Sequence, residues 1–120
     1  MTSATKVCIP VTPDDQVGGG FGRAPLVAIA TVEDGAVTAW EVHAVSWDAL
    51  HDTTTEGGHH ARVARFLMDH SVQRVVVSHM GEGMRHMLDS MGLAVVMGAS
   101  GDAREAGCQG PTGAGSSACG

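Results

Sequence analysis

The chain has 120 residues, of which 43% are hydrophobic, and this length and composition suit one domain with its own core. Its formal net charge is −6, and its seven basic residues are scattered along the chain. Nucleic acids and anionic membranes are therefore poor candidates for partners. The N-terminus lacks the pattern of a secretory signal, and no apolar run approaches the length of a membrane span, which predicts a cytoplasmic protein.

Strand signals dominate the first part of the chain. Apolar runs bounded by turn residues predict three strands, over residues 6–11, 25–33 and 36–45. The dipeptide Asp34-Gly35 between the last two runs is typical of a hairpin turn. Pro10 lies within the first run, which places it either at the end of its strand or on a strand at the edge of the sheet.

Helices and strands alternate in the second half. The apolar spacing predicts helices over residues 58–71 and 83–91, and strands over 73–78 and 93–97. Residues 100–106 are expected to form one helical turn, with Ser100 or Asp102 as its cap. A hairpin followed by this alternation predicts an α/β domain over residues 5–106, with a mixed sheet of about five strands flanked by helices. The Gly/Ser-rich stretch 107–120 has too few apolar side chains to form a core, and we expect it to be disordered.

The stretch SHMGEGMRHM, residues 78–87, contains the densest set of soft metal ligands. His79 and Met80 directly follow a predicted strand, so they should lie at the carboxyl edge of the sheet, where α/β proteins bind ligands. His and Met side chains suit soft ions such as Cu(I). Gly81 and Gly83 would place backbone amides at a helix N-terminus, which favours an anion. Met84 has helical spacing, and the ordinary interpretation of such a methionine is core packing.

Two further glycine-bearing segments bear on the site. His59 and His60 begin the first predicted helix, but neighbouring helical residues point about 100° apart, so they do not both face one metal on a regular helix. The loop 18–24 is neither a phosphate-binding loop nor a dinucleotide fingerprint. Its Phe21 and Arg23 would suit a mobile loop that closes over an anion, whereas spacing alone favours a flexible linker.

Three further histidines and the two tryptophans have ordinary structural interpretations. We interpret His43, His70 and His86 as surface positions. Trp40 and Trp47, if exposed together with methionines, would permit a homodimer. Cys8 lies in an apolar strand and is interpreted as a small buried hydrophobe.

No pattern in the sequence indicates catalysis. The serines lack the setting of a nucleophile, and the carboxylates lie mostly in loops without the clustering that two-metal hydrolysis requires. We therefore expect a protein that is not an enzyme.

Several blocks of the sequence match a known family in order and spacing. They are KVCIPV, GFGRAP, the Asp34-Gly35 hairpin, EGGHHARVARFL, VVVSHMGEGMRHML and VVMGASGDARE. In these blocks the chain resembles the dinitrogenase iron–molybdenum cofactor biosynthesis family, which includes NifX/NifY-like proteins and the C-terminal domain of NifB. Gly20 stands where the family's HFGR-type motif has a histidine.

The resemblance implies a ribonuclease-H-like fold and a non-catalytic carrier for a metal–sulfur cluster or its precursor, of the iron–molybdenum or molybdenum–copper type. It also implies proteins that donate or accept the cluster. The expected cofactor-binding residues are Phe21, Gly22, Arg23, Gly58, Gly81 and Gly83, and the expected metal ligands are His59, His60, His79, Met80 and Met84. Two alternatives remain open: a Cu(I)-binding or metal-sensing protein without a cluster, and an interaction module with a vestigial site.

Overall fold

The computed structural model describes residues 4–18, 21, 24–47 and 56–107, and it arranges them around one mixed sheet of five strands. The strands are β1 (Thr5–Val11), β2 (Leu26–Glu33), β3 (Ala36–Ala44), β4 (Arg74–Val76) and β5 (Ala94–Val96). The helices that flank the sheet are α1 (Glu56–Asp69), α2 (Glu82–Ser90) and α3 (Ala103–Gly107). The predicted α/β class is thus confirmed. Of the expected tail, residues 107–120, only Gly107 is described, as the last residue of α3.

The strand order produces a topological switch point, named the crevice edge, at the carboxyl ends of β1 and β4. The order is β3-β2-β1-β4-β5; β1 pairs antiparallel with β2 and parallel with β4, and β5 extends the parallel part. After the carboxyl end of β1 the chain continues to β2, the neighbour of β1 away from β4. After the carboxyl end of β4 it continues through α2 to β5, the neighbour of β4 away from β1. Ligands of α/β proteins bind where the connections that follow two neighbouring parallel strands run in opposite directions.

Local turn chemistry sets the register of the hairpin. Asp34 and Gly35 both have positive φ, 54° and 78°, the combination that a type I′ turn requires. Pro10 lies in the central strand β1, opposite Val27 and beyond Cys8, the last residue of β1 that pairs with β4. Of the two interpretations of Pro10, the strand end is correct and the sheet edge is wrong.

Each face of the sheet has its own apolar layer. On one face, Val63 and Leu67 of α1 and Leu88 of α2 pack against the sheet. On the other face, Ala103 and Ala106 of α3 do so. Successive β1 residues alternate between the layers, which explains why that strand is almost continuously apolar.

Cys8 is completely buried in the first layer, as the sequence predicts. Burial raises the pKa of its thiol because the thiolate would lose its hydration.

The end of α2 and the start of α3 each have a cap. Gly92 follows α2 with φ of 78°, a left-handed conformation that glycine adopts without strain. The N–H of Glu105 donates to Oδ2 of Asp102 at 3.0 Å, so Asp102, and not Ser100, caps α3. None of the helices among the described residues has the length and apolar character needed to cross a membrane.

Contacts between rings decide how far three side chains are exposed. Trp47 is only 2% exposed, because its ring packs against Phe21 and Phe66, so it offers no surface to a second copy of the chain. His43 and His70 are partly buried, and both of their rings contact the ring of Phe66. Apart from the contact of Phe66 with His70, four residues later, these contacts join residues that are distant in sequence, and no local pattern indicates them.

Candidate functional site

A backbone hydrogen bond joins two of the sequence segments that were predicted to form the site. The N–H of Phe21 donates to the carbonyl oxygen of His79 at 3.3 Å. Phe21 belongs to the glycine loop after β1, and His79 to the loop after β4. The bond therefore joins the loop after β1 to the loop after β4 at the crevice edge.

The ring of Phe21 anchors this glycine loop. It is completely buried and meets Trp47 edge to face, with ring centroids 5.4 Å apart. The ring is thus part of the core, and the contribution of Phe21 to a ligand would come through the loop position that the ring holds. The neighbouring Gly22 and Arg23 lie outside the described residues.

The starts of α1 and α2 meet at His60 and Gly83. A Cβ atom added to Gly83 would lie 3.1 Å from Cε1 of His60, closer than nearly all real contacts of that kind. The imidazole therefore rests on the backbone of Gly83, and the absence of a side chain there allows the approach. His60 itself is partly buried.

The loop between β4 and α2 presents the other described candidates. His79 is exposed, while Met80 is partly buried and packs against the first apolar layer. Gly81 precedes α2 with φ of −69° and ψ of 156°, and no side chain caps the helix there. The first amides of α2 thus point toward the edge where His79 lies, without a side-chain acceptor at the N-cap.

Met84 occupies a different environment from Met80. It is 4% exposed and lies in the apolar layer together with Leu88 and Phe21. Its helical spacing already favoured core packing, and we assign it that role.

Two other predicted residues are described only in part. Gly58 is an exposed residue of α1. His59 belongs to the same helix, but its side chain lies outside what the structure describes.

Two charges of opposite sign lie at the start of α2. The N-terminus of α2 carries a partial positive charge, which attracts anions. Glu82 lies exposed in the first turn of the same helix and opposes that attraction.

Among the described residues, no three His, Cys, Asp or Glu side chains come together as a metal site. A closed site with four ligands of these types is therefore not built in that part of the chain. What the described part offers is sparser: two imidazoles, one thioether and helix amides at one edge.

The mixed five-stranded sheet and this edge define a class, that of one-domain α/β proteins with a candidate ligand edge at the carboxyl ends of parallel strands. The chain belongs to the dinitrogenase iron–molybdenum cofactor family, whose model matches residues 4–109. The resemblance predicted from the sequence blocks is thus confirmed. Among curated proteins, none matches this sequence at a significant level.

Solved structures agree with the family. A crystal structure of the protein PH0822 is 25% identical, with a TM-score of 0.67 over 82% of this chain and 81% of that chain. An NMR structure from Thermotoga, provisionally named a NifB protein, is 25% identical, with a TM-score of 0.64 over 85% of this chain and 83% of that chain. A crystal structure from Methanocaldococcus jannaschii, provisionally named a dinitrogenase, is 16% identical with a TM-score of 0.54 over 83% and 81% of the two chains, and it supports the fold alone.

Proposed function

We propose that this chain is a carrier for an anionic metal–sulfur cluster, either an iron–molybdenum cofactor or one of its precursors. The family to which the chain belongs is described by that cofactor. The observation that carries the proposal is the contact of His60 with Gly83 in the first turn of α2, the helix that begins three residues after His79. Soft ligands beside uncapped amides suit a cargo that combines metal ions with negative charge.

Each group would have a distinct role in holding the cargo. The exposed imidazole of His79 and the thioether of Met80 would contact metal ions, and His60 would approach from the start of α1. Amides from Gly81 to Gly83 would donate to sulfide at the cluster surface. In this proposal Gly22, Arg23 and the side chain of His59 complete the cradle, together with Gly58.

A carrier needs a site from which the cargo can leave. Few protein ligands and an exposed edge suit release to an acceptor protein better than a closed four-ligand site does. We therefore propose that the chain receives its cluster from one maturation protein and passes it to another, in the cytoplasm and without catalysis.

The copper alternative has less support. It required Met84 as a ligand beside Met80, His79 and His59, yet Met84 is 4% exposed and packs in the core. Copper ligated by His and Met alone would also be retained in the absence of sulfide, which separates this alternative from a cluster.

Anaerobic reconstitution tests the proposed function. The purified chain is incubated with molybdate, ferrous iron and sulfide, then desalted and analysed for metals and acid-labile sulfide. We expect the wild type to retain metal and sulfide together, and His79→Ala and His60→Ala to retain much less. His86→Ala is the matched control, because His86 is an exposed histidine of α2 outside the proposed site. Wild-type protein that retains no metal would refute the carrier role.

A further inference from the structure

A pair of histidines lies away from the crevice edge. His43 of β3 and His70, the residue after α1, have ring centroids 4.8 Å apart and ring planes 67° apart. The ring of Phe66 lies against both, with centroid distances of 5.6 Å to His43 and 4.3 Å to His70. Both imidazoles are partly buried, so each is held by its surroundings.

Hydrogen bonds assign the tautomer of each ring. Nδ1 of His70 lies 2.9 Å from the carbonyl oxygen of Phe66, which only accepts, so Nδ1 carries the proton and Nε2 has a lone pair. Nε2 of His43 lies 3.3 Å from Oε1 of Glu41, also an acceptor, which leaves the lone pair of His43 on Nδ1. Histidines that ligate metals are held in the same way, with the second ring N–H donated to a carbonyl or a carboxylate.

We propose that His43 and His70 form a second metal site, one that takes a divalent ion of the zinc class. With metal–nitrogen bonds of about 2 Å, two imidazoles at a tetrahedral angle have ring centroids about 5 Å apart, and two in a linear arrangement about 6 Å. The observed 4.8 Å therefore matches tetrahedral Zn²⁺ better than linear Cu(I).

This second site is distinct from the proposed cluster site. His60 and His70 are ten residues apart along α1 and the residue that follows it, which corresponds to about 15 Å. Because no group of three His, Cys, Asp or Glu is found among the described residues, two imidazoles would hold the ion and water would fill the open positions. Such an open site suits an exchangeable ion and does not depend on the cluster proposal.

Calorimetric titration with zinc chloride tests the site. The protein is the full chain carrying Cys108→Ser and Cys119→Ser, freed of metal by chelation and kept free of sulfide. We expect one zinc per chain, and a loss of affinity of at least about tenfold in His43→Gln and in His70→Gln. The matched control is His86→Gln, at an exposed histidine of α2, which should bind zinc as the parent does. Equal affinity in all variants, or an equal loss in His86→Gln, would overturn the proposal.

A second measurement guards against variants that do not fold. In the wild-type chain, ring nitrogen resonances followed by NMR during addition of zinc should move at Nδ1 of His43 and Nε2 of His70. The resonances of His60, His79 and His86 should stay in place. Movement at those rings instead, or at none, would overturn the second site without bearing on retention of a cluster.

Discussion

Gly83 supports the imidazole of His60, since a Cβ atom on Gly83 would lie 3.1 Å from Cε1 of that ring. A Cβ atom added to Gly81, two residues earlier, would meet no atom within 4 Å. The two glycines of the loop therefore differ in role. Gly83 allows one helix start to approach another, whereas Gly81 ends the extended segment before α2.

This difference predicts opposite behaviour for two alanine substitutions. Gly83→Ala should gain about 0.5–1 kcal/mol in helix propensity, offset by the displacement of His60, and should retain several-fold less cluster. Gly81→Ala replaces a favourable N-cap residue, so its free energy of unfolding should fall by up to about 1 kcal/mol. This variant should nevertheless retain as much cluster as the wild type. Thermal unfolding and metal analysis after reconstitution check both. If the two variants retain the same amount of cluster, His60 has no role in holding it.

Glu82 predicts the sign of an electrostatic effect. Its carboxylate lies in the first turn of α2, where it stabilises the helix by about 0.3–1 kcal/mol but repels an anionic cargo. Glu82→Gln should therefore bind the cluster more tightly and unfold slightly more easily, and the gain in affinity should shrink at high salt. Competition with a cluster-accepting chelator, at low and high ionic strength, measures the change.

Asp89→Asn is the control for Glu82→Gln. It makes the same change in charge at the other end of α2, where Asp89 is exposed and lies 4.0 Å from Nε of Arg85. A similar gain in affinity in both variants would mean that net charge, and not the helix N-terminus, governs binding of the anion.

The elements of the fold could be predicted because each has a local signal. Apolar runs bounded by turn residues indicated the strands, the Asp34-Gly35 pair indicated the hairpin, and helical spacing indicated α1 and α2. Sheet order has no such signal, and for that reason Pro10 fitted both a strand end and a sheet edge. Only the pairing of β1 between β2 and β4 decides between them.

The positions of the candidate residues in the fold were more predictable than their contacts. Because His79 and Met80 directly follow a predicted strand, the sequence places them at the carboxyl edge of the sheet. The meeting of His60 with Gly83, and that of His43 with His70, depends on how α1 packs, and residues so far apart leave no periodic pattern. The burial of Trp47 could not be predicted for the same reason, because two aromatic rings from other segments bury it.

The cap of α3 provides a test of the second apolar layer. Asp102 accepts a hydrogen bond from the N–H of Glu105, and α3 brings Ala103 and Ala106 onto the sheet. Asp102→Ala should lower the free energy of unfolding by about 1 kcal/mol. Ser100→Ala, at the other residue that the sequence offered as a cap, should change it by less than half as much. Urea unfolding of the two variants compares them, and equal losses would contradict the assignment of the cap.

The buried thiol of Cys8 predicts how stability depends on alkaline pH. In the unfolded chain the thiol ionises near its ordinary pKa of 9.0, whereas burial raises the pKa in the folded state. Above pH 9 the unfolded state therefore binds fewer protons than the folded state, and the free energy of unfolding falls by up to about 1.4 kcal/mol per pH unit. Below pH 9 the thiol is protonated in both states, and Cys8 contributes its full packing.

Cys8→Ala isolates this effect, measured in the Cys108→Ser, Cys119→Ser background so that only one thiol differs. Near pH 7 the variant should be less stable by about 1 kcal/mol, because the small cavity removes packing in the first apolar layer. As the pH rises from 9 toward 10.5, the parent should lose stability faster than the variant, so the difference should vanish and then change sign. Urea unfolding at intervals of half a pH unit measures both curves. Parallel curves would mean that the Cys8 thiol ionises as readily in the folded chain as in the unfolded one.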